Sequence, residues 1–164
     1  MITYLIDSRE QKPYSFKGCD VETIALKTGD YSVKIFDTNY NNEIAIERKS
    51  LQDIIGSITQ GRERFEKEMI RSLEIPHFYL IIEGSWDDIY SHNYISQIPP
   101  NSVINTILGW QIKYGYHIII ADNHRRAEDF VKRILNLFVK YKTSNPKKKE
   151  SVGNDEPQSL AELI

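Results

Sequence analysis

Two kinds of hydrophobic pattern alternate along the chain: short runs apolar at every second or every position, and longer stretches in which apolar residues recur three and four apart. The first kind predicts β-strands at Thr3 to Asp7, Tyr31 to Phe36, Glu43 to Lys49, Phe78 to Glu83 and His117 to Asp122. The last two, "FYLIIE" and "HIIIAD", are apolar on both faces, as strands are when helices cover both sides of a sheet. The second kind predicts helices through Phe65, Met69, Ile70 and Leu73, through Val103, Ile104, Ile107, Leu108 and Gln111, and through Ala127, Phe130, Val131, Ile134, Leu135 and Phe138. Strands come first and helix–strand alternation follows, which predicts an α/β fold with α/β/α layers around a central mixed sheet. Pro99 and Pro100 mark a loop, with Asn101 or Ser102 expected to cap the next helix.

Periodicity stops at Thr143, where "TSNPKKKESVGNDEPQS" is polar and charged. The expected organisation is therefore a domain over residues 1–142 and a disordered polar tail over 143–164. Within that tail, "NPKKKE" reads either as a solvated run or as a weak phosphate-binding patch, and the final "SLAELI" as a short amphipathic turn able to dock on a partner.

Composition narrows the function classes. A length of 164 residues suits one domain with a single core, and 40% hydrophobic with 27% charged residues reads as globular. No apolar run approaches the roughly 18 residues of a membrane span. "MITYLIDSRE" enters a strand pattern at once, without a basic leader or a small-residue cleavage site, so a cytoplasmic protein is expected. The single cysteine, Cys19, forms neither an internal disulfide nor a cysteine metal cage. A net charge of −2 argues against a protein that coats nucleic acid nonspecifically, which needs many phosphate contacts, yet allows a local basic strip. Carboxylates gathered around metal ions also lower net charge without opposing DNA binding.

The candidate chemistry lies in "IAIERKSLQD", residues 44–53, where an apolar run meets a charge cluster. Strand alternation puts Glu47 and Lys49 on one face and Arg48 on the other. Phosphodiester hydrolysis requires oxygen ligands for Mg²⁺ or Mn²⁺ and gains from a cation near the attacking water, roles that Glu47 and Lys49 can fill. One carboxylate seldom holds such an ion alone. "TGDY" offers Asp30, at the start of a strand expected to pair with the Glu47 strand, and "IDSRE" offers Asp7, Arg9 and Glu10. Ser50 followed by Asp53 is a capping box for a helix starting at Leu51, so Asp53 is expected to cap it. Arg62 and Arg64, in the first turn of the following helix, are either phosphate contacts or ordinary surface charges.

The longer string is more specific. Gly29-Asp30 followed by Glu47-Arg48-Lys49 and Asp53, then by Ile55-Gly56-Ser57 and Gly61-Arg62, resembles the XPF family nuclease domain, also called the ERCC4 domain, and "LIDSRE" is similar to that family's first-strand motif. The resemblance covers roughly Ile2 to Tyr141. It implies a restriction-endonuclease-like fold and a metal-dependent DNA endonuclease selective for branched structures such as flaps, forks and junctions, serving DNA repair or recombination. By the same resemblance Asp30 and Glu47 bind Mg²⁺ or Mn²⁺, Lys49 positions or activates the attacking water, and Asp7 and Glu10 complete the acidic site. Arg9, Arg48 and Asp53 are motif members with structural roles, and Glu83 supports the site from behind. Larger members carry a tandem helix-hairpin-helix module, for which the residues after Tyr141 are too few. The compact form resembles stand-alone prokaryotic or viral members, so a homodimer through the Val103 to Leu108 or Phe130 to Phe138 helices, or a targeting partner, is expected to supply selectivity. The alternatives are a noncatalytic DNA-binding or adaptor module of the same fold, and a nuclease of that fold acting on unbranched DNA or RNA.

Overall fold

The computed structural model describes residues 1–144, and the expectations placed on residues 145–164 lie outside the described residues. Seven strands and five helices follow in the order β1 (Ile2–Asp7), β2 (Asp20–Ile24), β3 (Tyr31–Ile35), β4 (Thr38–Asn39), β5 (Ile44–Ser50), α1 (Leu51–Ile58), α2 (Arg62–Ser72), β6 (His77–Glu83), α3 (Trp86–Tyr90), α4 (Pro100–Tyr114), β7 (His117–Ile120) and α5 (His124–Ser144). The sheet order is β2-β1-β3-β5-β6-β7, with β4 paired to β3. It is mixed: β1–β2, β5–β6 and β6–β7 run parallel, β1–β3 and β3–β5 antiparallel. The expected α/β/α architecture is thus the one observed.

Strand alternation sorts the core into two layers. Ala45, Leu80 and Ile82 pack with residues of α1, α2, α3 and α4, whereas Ile44, Ile46 and Ile81 pack with α5. By the same parity, Glu47 and Lys49 follow Ala45 toward α1 and α2, and Arg48 follows Ile46 toward the α5 side. The sheet is apolar on both faces at its centre because it is covered on both.

Four features differ from the sequence expectation, besides the short β4 and α3 that it did not contain. The edge strand β2 carries mostly exposed side chains and pairs only with β1, so it has no alternation to read. The connection from β1 to β2 contains no helix; instead Tyr14 and Phe16 plug the α5-side core, and both are buried. The cap assigned to Asn101 or Ser102 is not formed: α4 begins at Pro100, with Pro99 at the cap position and no side-chain cap bond. Proline suits that first position because its missing N–H has no helical partner to lose and its φ is already helical. The last helix runs past Lys142 to Ser144. No described helix is long and apolar enough to cross a membrane.

Candidate active site

The site forms where the β3–β5 ladder runs out. Tyr31 pairs with Ile46, and Asp30 N–H donates to the Ile46 carbonyl at 2.8 Å. The next β5 donor, Arg48 N–H, has no backbone acceptor on β3; it donates to Asp30 Oδ2 at 2.7 Å instead. A carboxylate therefore replaces a backbone carbonyl in the ladder, which fixes Asp30 beside β5. Gly29 makes the approach feasible: its φ is +77°, and a Cβ there would lie 3.1 Å from the Ile46 oxygen and 3.2 Å from the Ala45 Cβ.

On the same face, Lys49 Nζ donates to Glu47 Oε1 at 3.1 Å and sits 5.0 Å above the Phe65 ring of α2. Asp30 and Glu47 line one cavity of about 230 Å³, whose far wall includes Glu68 and Arg71 of α2. Burial, then the charge of Glu47, pushes the Asp30 carboxyl up to about 8. Burial pushes Glu47 up as well; Lys49 opposes the shift, and the charges of Glu68 and Glu10 add to it. Two carboxylates thus share a low-dielectric pocket that disfavours charging both.

A hard divalent cation fits this donor set. Asp30 Oδ1 and Glu47 Oε2 accept no hydrogen bond from the described residues, and a cation held by the two carboxylates would offset the burial that raises both pKa values and the charge of Glu47 felt at Asp30. Among the described residues no three His, Cys, Asp or Glu side chains converge to hold an ion by themselves, so a cation here would keep water in its shell, as Mg²⁺ characteristically does.

The other expected residues divide by what they touch. Asp7 is 2% exposed and its carboxylate is occupied: Oδ1 accepts from Arg9 N and Nε, and Oδ2 from Arg9 Nη2 and Leu26 N. Burial alone would push Asp7 up, but those bonds hold it below its ordinary value. Asp7, expected to complete the acidic site, lines the same cavity as Asp30 and Glu47 with its oxygens bonded to Arg9 and Leu26; Arg9 in turn donates to the Leu26 carbonyl at 2.7 Å and fastens β1 to the segment leading to Asp30. Glu10 Oε1 lies 3.5 Å from Arg48 Nη1 and accepts from Lys12 N, and its charge is felt at both Asp30 and Glu47. Asp53 stays at the cap: Asp53 N donates to Ser50 Oγ at 3.1 Å, and Ser50 Oγ donates to Asp53 Oδ2 at 2.6 Å. Arg62 pairs with Glu66 on the exposed side of α2. Arg64 shares a helical stripe with Glu68 and Arg71, four and seven positions on, yet only the latter two line the cavity.

Arg48 organises the opposite face. Its Nε and Nη2 donate to Glu83 Oε1 and Oε2 at 2.7 and 2.8 Å, and both side chains are only 10% exposed. Glu83 Oε1 also accepts from Tyr14 OH and bonds His124 Nδ1, each at 2.9 Å. Glu83 was expected behind the site; Tyr14 and His124 carried no sequence signal, since their contacts to Glu83 span 69 and 41 residues. Glu68, Lys27 and Arg71 were also missed, because nothing in their spacing links them to Asp30.

The model of the ERCC4 domain family matches residues 6–134. Among solved structures, XPF from Aeropyrum pernix in complex with DNA superposes with a TM-score of 0.67 at 20% identity, covering 86% of this chain and 66% of that one. XPF from Aeropyrum pernix in a second structure gives a TM-score of 0.65 at 18% identity, covering 98% of this chain and 70% of that one. The chain thus spans about two thirds of the length of these relatives. No curated protein matches the sequence.

Proposed function

The chain belongs to the ERCC4 domain family, and on that premise we propose that it is a Mg²⁺- or Mn²⁺-dependent DNA endonuclease that cuts near branches such as flaps, forks and junctions. The observation that carries this reading is the convergence of Asp30, Glu47 and Lys49 at one cavity of about 530 Å³, with both carboxyls pushed up by burial and Asp30 further by the charge of Glu47. In this reading Asp30 Oδ1 and Glu47 Oε2 would hold the ion, which when bound supplies Lewis acidity and lowers the pKa of a coordinated water.

The remaining work falls to the chain's own groups. Lys49, held between Glu47 and the Phe65 ring, is as an ammonium a donor only; it orients the oxygen of the attacking water and offsets the charge that builds on the phosphoryl oxygens. Arg48 and Asp7 do not touch the reacting atoms. Arg48 locks β5 to β6 through Glu83, and Asp7 with Arg9 secures the segment that delivers Asp30.

The test is a panel of forked, flapped, nicked, duplex and single-stranded DNA and of RNA, incubated with the purified protein in Mg²⁺ and in Mn²⁺. Metal-dependent nicking of the branched substrates is expected, lost in Asp30→Ala, Glu47→Ala and Lys49→Ala proteins that keep their fold. Full activity in the Lys49→Ala protein refutes the assigned mechanism, and binding without cutting refutes the enzyme. Service in DNA repair or recombination belongs to the same proposal. So does selectivity from a second copy or a targeting partner: Val103 and Ile107 are used by the core, but Leu108 and Ile112 of α4 and Phe130 of α5 remain exposed. A monomer-sized species in light scattering at micromolar concentration argues against self-pairing.

A further inference from the structure

The cavity at Asp30 and Glu47 is the middle of a longer groove. On one side it shares Arg9, Asp30 and Glu47 with a cavity of about 530 Å³ that extends to Lys12 and Lys49. On the other it shares Lys27, Thr28 and Arg71 with a cavity of about 210 Å³ that ends at Asn41 and Asn42. The three form one channel that runs from the β1–β2 connection and the start of α1, past Asp30, to the space between the β2–β3 connection and α2.

Its charge is distributed in an order that a phosphate backbone would require. The middle gathers Asp7, Asp30, Glu47 and Glu68, with Arg9 committed to Asp7, and it also takes in Lys27 and Arg71, which continue into the next cavity. The end past Asp30 is cationic and amide-lined. Among the described residues Arg71 has no ion-pair partner, and Lys27 has only Glu74, at 3.3 Å with both side chains about three-quarters exposed. Such an exposed pair is held weakly, so an incoming phosphate displaces Glu74 readily. The central cavity, about 230 Å³, is below the roughly 300–1,000 Å³ of a pocket for a drug-sized ligand.

We infer that this groove is the track of a single DNA strand, with the scissile phosphate over Asp30 and Glu47 and the neighbouring phosphates on one side held by Lys27 and Arg71, an assignment that rests on the endonuclease reading. It gives a physical reason for a preference for branches: a strand freed at a branch can follow the groove from the acids to Lys27 and Arg71 more readily than one held in a duplex. Lys27 and Arg71 are then substrate-positioning residues: they line the acids' cavity and carry it on into the next one along the groove.

The experiment uses the full chain and a fluorescein-labelled forked oligonucleotide, with binding followed by anisotropy in Ca²⁺ and cutting in Mg²⁺. Lys27→Ala/Arg71→Ala is expected to bind at least tenfold more weakly, and to flatten the slope of log K against log salt by about 1.4, at about 0.7 per single-strand phosphate contact. KM rises while kcat at saturation stays within about twofold, because neither residue touches the reacting atoms. Lys140→Ala, on exposed α5, keeps wild-type affinity, and binding of a blunt duplex is unaffected by the double variant. A double variant, folded by circular dichroism, that keeps wild-type affinity and salt slope overturns the track and leaves the endonuclease standing. So does an equal loss on blunt duplex, or a fall in kcat with affinity unchanged. A wild-type protein that neither binds nor cuts any DNA overturns both readings.

Discussion

Replacing Glu83 with alanine should destabilise the fold far more than removing any surface charge. Glu83 receives two bonds from Arg48, one from Tyr14 OH and one shared with His124, in a place where it and Arg48 are each 10% exposed. Without it the guanidinium keeps only Glu10 at 3.5 Å, and the buried Tyr14 hydroxyl loses its acceptor. Removing one member of a buried pair costs about 3–5 kcal/mol, and the small residual exposure places this case near the lower bound, about 3 kcal/mol. At a urea m-value of about 2 kcal/mol/M, the unfolding midpoint should fall by about 1.5 M. Glu83→Gln, which keeps an acceptor but loses the charge, should fall between wild type and alanine. The assay is urea unfolding followed by circular dichroism at pH 7. A fall below about 0.5 M for Glu83→Ala would show that the Arg48 network is solvated in solution and does not organise the site. pH offers a second check on the same residue: burial raises the Glu83 pKa, but Arg48 and Tyr14 outweigh it and hold the group below its ordinary value. Its contribution is thus present above the unfolded-state pKa of about 4.3 and lost as pH falls through the lower folded-state value, so acid should narrow the gap between wild type and Glu83→Gln.

Asp30 shifts the opposite way, and so does its pH signature. With a folded-state pKa of about 8, raised by burial and Glu47, it favours the native state fully below about pH 4 and progressively loses that contribution as pH rises through 8. Metal-free protein should therefore lose thermal stability from pH 5 to pH 8.5, and Mn²⁺ should restore more at pH 8 than at pH 6 because binding releases the proton; a pH-independent Mn²⁺ response in differential scanning fluorimetry would contradict this. Asp30→Asn should flatten both trends. Gly29→Ala should cost at least about 1–2 kcal/mol from its positive φ and from pressing against the Ile46 carbonyl, and it should lower cutting at saturating DNA by moving Asp30; unchanged urea midpoint and rate would show that the turn relaxes freely. Ser50→Ala should cost about 1 kcal/mol through loss of the α1 cap, measured by the same unfolding assay, with Asp53→Ala costing less because the backbone bond to Ser50 survives.

Most of the architecture was legible because both periods were clean. β5, β6 and β7 and the existence of α2, α4 and α5 follow directly from the spacing of their apolar residues, as do Phe65, Met69, Val103, Ile107, Ala127, Val131 and Leu135 in the core, whereas Ile70, Leu73, Leu108 and Phe130 of the same pattern are exposed. The faces of Glu47, Lys49 and Arg48 were legible for the same reason, since strand parity leaves no freedom. What spacing does not contain is pairing. That Asp30 lies against β5 depends on an antiparallel β3–β5 ladder with a single bridged pair, and the family resemblance supplied that adjacency where physical reasoning alone assumed it. The resemblance also assigned Asp7 to the acids of the site, although its two oxygens are committed to Arg9 and Leu26. Tyr14, Phe16 and β2 were illegible for a different reason: a twelve-residue crossover normally holds a helix, and here a loop fills the core with two aromatic rings.

The arrangement also explains why an arginine stands between the two working residues of β5. A strand leaving the core with Glu47 and Lys49 on one face must present residue 48 to the other, and there the sheet still has the α5-side layer above it. An apolar residue would pack, but it would leave Glu83 of β6 and Glu10 beyond β1 without the guanidinium between them, two acids at the C-terminal ends of parallel strands that β3 and β5 separate. A guanidinium satisfies both, and its fork geometry fixes their direction. At the same residue the backbone N–H is the donor that holds Asp30. Arg48 therefore couples the two faces: its side chain sets where β5 lies relative to β6, and its main chain sets where Asp30 lies relative to Glu47. Lysine at this position would keep the charge and lose the two-point bond, so the carboxylate separation would loosen even though neither acid had been altered. Substitutions at Arg48 and at Asp30 should accordingly be non-additive in Mn²⁺ affinity, with the double variant no worse than Asp30→Ala alone.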